Sequence, residues 1–303
     1  MSARARSWQL QNSYSHKQFP AARLLAEKRE RISICLPARD EAETIGQILE
    51  QLMPFAELGL LDQVVVVDGS SDGTAEIARS LGADVHDQRD LMPALGPVLG
   101  KGDAMWRALD VLDGEIICFL DADSGDFGSH FVCGLLGPLL CDRSVAFVKG
   151  FYRRPLKIAG QTLPDGGGRV TELTARPLLQ LFYEDLAAVC QPLAGEVAAR
   201  RQLLERLPFV TGYGVDIALL LDAYHFAGLD AIAQVDLEVR QNDHQPLHAL
   251  GPMAFEVLHA VASRLAREGR LRGPVPAALA PDGMDRYERP VERPPLREVC
   301  TAA

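Results

Sequence analysis

Two carboxylates, Asp121 and Asp123, close the apolar run Ile116-Ile117-Cys118-Phe119-Leu120. Placed at the end of a buried strand, such a pair can face a ribose and a hard cation, Mg2+ or Mn2+. A metal held there would bridge the phosphates of a nucleoside diphosphate and stabilise it as a leaving group. An isolated Asp-x-Asp is more often a solvated loop; its position directly after a buried strand distinguishes this one.

Three further segments put chemistry at element ends. Asp68-Gly69-Ser70-Ser71-Asp72-Gly73-Thr74 follows the β-branched run Val64 to Val67. Gly69 permits a tight turn, Ser71 or Asp72 can cap the next helix, and Asp68 can meet a base or ribose. Pro37-Ala38-Arg39-Asp40-Glu41 ends another apolar run. Its acidic residues suit a helix N-terminus, which leaves Arg39 unexplained. Gly100-Lys101-Gly102 places a lysine between glycines at a helix start, where backbone and ammonium can both approach a phosphate. It is not the GxxxxGK[ST] phosphate loop.

The elements needed to position these residues are legible. Strands are expected over Ile32 to Pro37, Gln63 to Asp68, Glu115 to Leu120, Val145 to Phe151 and Ile232 to Val239. Helices are expected over Ala21 to Arg29, Glu43 to Met53, Thr74 to Leu81 and Lys101 to Leu112, and around 175–188, 197–206, 214–226 and 253–268. The β-α-β-α order predicts an α/β fold, a Rossmann-like, mostly parallel sheet flanked by helices. Ligands then bind beyond the carboxyl ends of the strands, where all three strand-end clusters lie. The chain divides into an N-terminal extension (1–30), a nucleotide half (31–125), a second half of the same domain (126–270) and a proline-rich, mobile or wrapping tail (271–303).

The composition is that of a globular protein: 303 residues, 48% hydrophobic and 24% charged. A net charge of -10 argues against nucleic acid as partner. The six cysteines form no CxxC pair, and several sit in apolar runs, so they read as buried free thiols rather than zinc ligands or disulfides. No apolar run is long enough to span a membrane, and the N-terminus lacks the apolar core of a secretory signal; a cytoplasmic protein is expected.

Taken in order, Pro37 to Glu41, Asp68 to Thr74, Gly100 to Gly102 and Asp121 to Asp123 resemble the nucleotide half of GT-A glycosyltransferases. Phe147 to Pro155, Gly166 to Leu173, Gln191 to Glu196, Thr211 to Asp216 and Ile232 to Leu237 narrow the resemblance to the glucosyl-3-phosphoglycerate and mannosyl-3-phosphoglycerate synthase family. It runs from about Ile32 to Leu250. Val291-Glu292-Arg293-Pro294-Pro295 also looks like a family segment.

The resemblance implies transfer of a hexose, from UDP-glucose or GDP-mannose, to the 2-hydroxyl of 3-phosphoglycerate, with retention at the anomeric carbon and the leaving phosphate deprotonating the acceptor. The donor site it implies contains Pro37, Ala38, Arg39, Glu41, Asp68, Ser70, Lys101, Asp121, Ala122, Leu193, Ala194, Gly195 and Tyr213. Asp123, Asp216 and Arg240 would carry catalysis. Gly168, Arg169, Thr171 and Asn242 would hold the acceptor. The family has Glu at the position of Asp216, and many synthases have Ser at that of Ala194; both differences touch the sugar pocket. A metal, Mg2+ or Mn2+, would bind Asp123 and a histidine. In the glucosyl enzymes that histidine falls two residues after the arginine, at Asn242 here, while His244 stands where they carry an acceptor-contacting Asn. Either Asn242 replaces the ligand or His244 supplies it; imidazole, the better ligand, favours His244. A homodimer is implied, with the 253–268 helix a candidate interface.

Two other classes fit parts of the pattern. A polyprenyl-phosphate or polysaccharide synthase of the same fold would not need the Gly166-Gly167-Gly168-Arg169 run and would carry membrane helices. A nucleotidyltransferase would open with a glycine-rich loop and lysine after the first strand, and a silent nucleotide-sugar binder would bind without turnover.

Overall fold

The computed structural model describes residues 1–158, 161–163, 166–240, 245–273, 275, 278–279, 287–288 and 290–300. Its centre is an eight-stranded sheet in the order Ser13–Ser15, Ile232–Val239, Phe147–Arg153, Val197–Arg200, Ile116–Phe119, Ile32–Ala38, Gln63–Asp68, Asp84–Asp87. Every neighbouring pair is parallel except those made by Val197–Arg200, which runs against both its neighbours.

The strand residues alternate between two packed faces. Val65 and Val67 join one core with Cys35, Ile117 and Phe119. Val64 and Val66 join the other with Ile34, Leu36, Ile116 and Cys118. Burial on both faces is why the sequence reads as unbroken β-branched and apolar runs rather than alternation. On one face the helix Ile45–Glu57 buries Ile45, Ile48, Leu49 and Leu52, spaced for one stripe.

Four elements differ from expectation. The region around 197–206 is the strand Val197–Arg200 followed by the short helix Arg201–Leu204, not one helix. Alanine-rich sequence favours helix, but the slot between Ile116–Phe119 and Phe147–Arg153 supplies two ladders of backbone partners, and tertiary pairing overrides propensity. Helix His130–Cys141 carries glycines and Pro138 and has ten buried residues, so it shows no amphipathic stripe to detect. The edge strand Asp84–Asp87 is short and polar. Residues before Ile32 form two helices, Ala3–Asn12 and Ala21–Glu27, and the edge strand Ser13–Ser15. Trp8 is buried there, its indole N–H donating to the Ile232 carbonyl at 2.8 Å.

Residues 291–296 pack on the body. Glu292–Arg293 pairs antiparallel with Phe209–Val210, and Leu296 is buried. Among the described residues no helix is long and apolar enough to cross a membrane.

Candidate active site

The parallel strands deliver their carboxyl ends to one edge: Ala38 lies opposite Asp68, and Cys35 opposite Phe119. Because Val197–Arg200 runs the other way, its preceding segment, Leu193 to Glu196, emerges at that same edge. Past a bulge between Asp236 and Val239, the Ile232–Val239 strand brings Arg240 there too, its N–H donating to the Arg153 carbonyl at 3.0 Å.

The first two turns are tied to each other. Asp40, at φ 58°, accepts from the Ser71 N–H at 2.8 Å, and its own N–H donates to Ser70 Oγ at 2.8 Å. Ser70 Oγ–H donates to Asp68 at 2.6 Å. The N-cap of the next helix is Gly73 rather than Ser71 or Asp72, though Asp72, one residue before it, accepts from the Thr74 N–H at 3.0 Å.

Two cavities open on this edge. One is lined by Pro37, Ala38, Arg39, Glu41, Val67, Gln88 and Ala122. The other is lined by Tyr152, Arg154, Gly168, Arg169, Thr171, Leu193, Gly195, Asp216 and Arg240. Lys101, Asp121, Asp123 and Tyr213 line both.

A network of charge forms the shared wall. Lys101 Nζ donates to Asp121 Oδ1 at 2.6 Å and lies 3.5 Å from Asp216 Oδ2. Arg240, side chain 1% exposed, reaches Asp121 Oδ2 at 3.1 Å, Asp123 Oδ1 at 2.6 Å, Tyr152 Oη at 3.2 Å and the carboxylate of Glu196. Burial alone would push the Asp121 carboxyl upward, but the Lys101 and Arg240 charges outweigh it and hold it well below the carboxylate range. Burial likewise opposes the Lys101 charge, and Asp121 and Asp216 more than restore it. Asp216 goes the other way: burial raises its pKa against the pull of Lys101 and Lys149. Its Oδ1 is buried with no hydrogen-bond partner among the described residues, in a side chain that lines the second cavity. Such an atom suits a hydroxyl donor from a ligand.

Close approach explains two glycines. A Cβ on Gly195 would collide with the Asp121 carboxylate, and one on Gly102 with the Val210 carbonyl. Beside the second cavity, Gly168 sits at φ 69° and the Gly167 N–H donates to the Arg154 carbonyl at 2.8 Å. Arg169 donates to the Gln245 carbonyl, and Thr171 is buried at the first turn of a π-helical segment, Thr171–Ala175, that runs into the helix Arg176–Phe182. π-Turns recur at functional sites.

The residues present fit a hard divalent cation. The Asp123 carboxylate is half exposed and lines both cavities. Glu41, lining the first, has its pKa raised by burial and then by Asp123 and Asp121, an excess of negative charge that a cation would relieve. Among the described residues no three His, Cys, Asp or Glu side chains converge as a metal cluster. Asp123 would supply one ligand to such a cation, with others from elsewhere; Asn242 and His244 lie outside the described residues.

Most of the site residues expected from sequence converge here. Asp68 and Ser70 bond each other and are not among the residues lining the first cavity. Ala194 also stands behind the wall, its carbonyl accepting from Lys149 Nζ at 2.7 Å. Lys149, Tyr152, Arg154 and Gln88 are not among the residues expected at the site from sequence. A lysine within the apolar Phe147-Val148-Lys149-Gly150 run was a legible signal, since a buried ammonium needs partners. Gln88 carried none.

The sequence matches Glycosyl transferase family 2 over residues 33–154. It is 44% identical over 269 residues to a glucosyl-3-phosphoglycerate synthase of Petrotoga mobilis, covering 86% of this chain and 83% of that one. The fold superposes with a TM-score of 0.89 on mannosyl-3-phosphoglycerate synthase from Rubrobacter xylanophilus, 44% identical, with 98% of each chain covered. It superposes with a TM-score of 0.83 on glucosyl-3-phosphoglycerate synthase from Mycobacterium tuberculosis in complex with Mn2+, UDP-glucose and phosphoglyceric acid, 38% identical, covering 95% of this chain and 98% of that one. The sheet is that of GT-A enzymes, the cavities share one charged wall, and the chain belongs to the glucosyl-3-phosphoglycerate synthase family of glycosyltransferases.

Proposed function

We propose that this chain transfers glucose from UDP-glucose to the 2-hydroxyl of 3-phosphoglycerate, giving glucosyl-3-phosphoglycerate. The observation that carries this reading is the wall shared by the two cavities. Lys101, Asp121, Asp123 and Tyr213 border a cavity lined by the nucleotide-type turns and another lined by Arg169, Thr171 and Gly168. Donor and acceptor placed in them would meet at that wall. In the transfer, the bond from the anomeric carbon to the diphosphate oxygen breaks and the bond to the acceptor oxygen forms, the acceptor proton passing to the leaving phosphate.

Arg169, beside backbone N–H groups at a helix start, suits an anionic acceptor group. The unpartnered Asp216 Oδ1 suits a sugar hydroxyl. Arg240 holds Asp121, Asp123 and Glu196 in fixed relation, so the rate enhancement comes from positioning and preorganised charge. A divalent ion on Asp123, Mg2+ or Mn2+, would supply electrophilic stabilisation of the diphosphate.

One observation favours a second reading, GDP-mannose as donor: the Rubrobacter neighbour is a mannosyl-3-phosphoglycerate synthase, and Asp216 and Ala194 both border or back the sugar pocket. Purified protein with Mg2+ and 3-phosphoglycerate, given UDP-glucose and GDP-mannose separately, decides between them. Glucosyl-3-phosphoglycerate as the faster product supports the first reading; product from neither donor refutes both. A homodimer is part of the same reading, and sedimentation equilibrium tests it.

A further inference from the structure

The segment Val291-Glu292-Arg293-Pro294-Pro295 lies far along the chain from every residue of the two cavities, yet it is bonded to the turn that carries two of them. Arg293 makes a forked pair with Asp103, Nε to Oδ1 and Nη2 to Oδ2, both at 2.8 Å. Its guanidinium lies 5.8 Å from the Trp106 ring centroid, and the Trp106 indole N–H donates to the Pro294 carbonyl at 2.9 Å. Asp103 and Trp106 belong to the helix Lys101–Ala108, whose first residue is Lys101.

The same segment holds the other side of the turn. The Thr211 N–H donates to the Val291 carbonyl at 2.9 Å, and the Thr211 carbonyl accepts from the N–H groups of Gly102 and Asp103 at 3.0 and 3.3 Å. Tyr213 is two residues beyond Thr211. A Cβ on Gly102 would strike the Val210 carbonyl, so the helix start and the 210–213 segment are in backbone contact. Lys101 and Tyr213, which both line the two cavities, are thus fixed by one knot, and the C-terminal segment closes it.

We infer that Arg293 is a positioning residue for glycosyl transfer, setting the height and direction of Lys101 and Tyr213 at the wall between donor and acceptor. It touches neither cavity itself. Removing it does not strand a buried charge: Asp103 keeps Arg107 at 3.2 Å and the Leu99 N–H at 2.9 Å. Arg107 in turn donates to the carbonyls of Leu91, Met92 and Gly96, so the buried half of the network persists. What is lost is the brace between the helix start and the tail. A lysine at 293 restores the charge but not the two-pronged geometry.

The inference rests on the donor and acceptor assignment above, and its test separates the two. Steady-state kinetics with UDP-glucose and 3-phosphoglycerate, and calorimetric binding of UDP alone, are measured for wild type, Arg293→Ala and Arg293→Lys. Expected in Arg293→Ala is a loss of roughly tenfold or more in kcat/KM for the nucleotide sugar, with the KM for 3-phosphoglycerate within about twofold of wild type. UDP binding weakens in parallel, and Arg293→Lys recovers part of both. An Arg293→Ala protein with wild-type kinetics and UDP affinity, and only a lower melting temperature, overturns the inference. Should Arg293→Ala fail to fold, Arg293→Lys alone decides: wild-type kinetics and UDP affinity in it overturn the inference. If wild type itself makes no product, the functional assignment fails and Arg293 is judged on UDP binding.

Discussion

A Cβ at Gly195 would occupy the place of the Asp121 carboxylate. Asp121 is held there by Lys101 at 2.6 Å and Arg240 at 3.1 Å, so its position sets that of both cations. Gly195→Ala should therefore push Asp121 off both partners and lower kcat/KM by about a hundredfold, the scale of an ångström-sized misplacement. Steady-state kinetics with near-ultraviolet circular dichroism checks this. A folded alanine variant with wild-type kcat/KM would show that the carboxylate relocates without consequence.

Asp123 is the half-exposed member of the network and has no place in either hydrophobic core. Arg240 keeps Asp121 and Glu196 when it is removed. Asp123→Ala should keep its melting temperature and lose activity by about a hundredfold or more, the scale of deleting one preorganised electrostatic contact. Added Mn2+ or Mg2+ should no longer raise its rate. A near-wild-type, metal-responsive rate would remove Asp123 from the mechanism.

Lys149 is buried, donating to the carbonyls of Ala194 at 2.7 Å and Asp216 at 3.3 Å. Burial, helped by the Lys101 charge and opposed by Asp216 and Asp121, pulls its pKa down to about 8 from the ordinary 10.5. Between those values the unfolded chain carries a proton that the folded chain has released. Stability from this group therefore rises with pH across that window and is flat at its minimum below it. Denaturant midpoints of wild type and Lys149→Met, compared from neutral pH to about 10, should show the wild type gaining on the variant. Parallel curves would mean that Lys149 stays charged.

Trp8 tests whether residues before the first long strand belong to the body. Its ring is buried and its N–H bonds the Ile232 carbonyl at 2.8 Å. Trp8→Ala should cost about 3–5 kcal/mol of folding stability, as large-to-small core changes do. Chemical denaturation measures it, and a loss under about 1 kcal/mol would mark the segment as peripheral, since surface substitutions stay in that range.

Local chemistry made much of this protein readable. The runs Ile32–Ala38, Gln63–Asp68 and Ile116–Phe119 read as parallel strands buried on both faces, because they are short, apolar and largely β-branched and end in turn residues. Their polar ends then had to share an edge, which singled out Arg39, Glu41, Asp121 and Asp123, while Lys101 was legible from its place between glycines at a helix start. Tertiary structure alone decided three other things. It made Val197–Arg200 a strand, because two flanking ladders outweigh the helix preference of alanine, and by its direction it set Gly195 and Glu196 against Asp121 and Arg240. It left Asp68, Ser70 and Ala194 out of the residues that line the cavities, since turn bonding and packing, not residue type, settle which way a side chain faces. It also bonded Arg293 to Asp103, 190 residues away in sequence, a contact that no local spacing encodes because only the packed chain brings the two together.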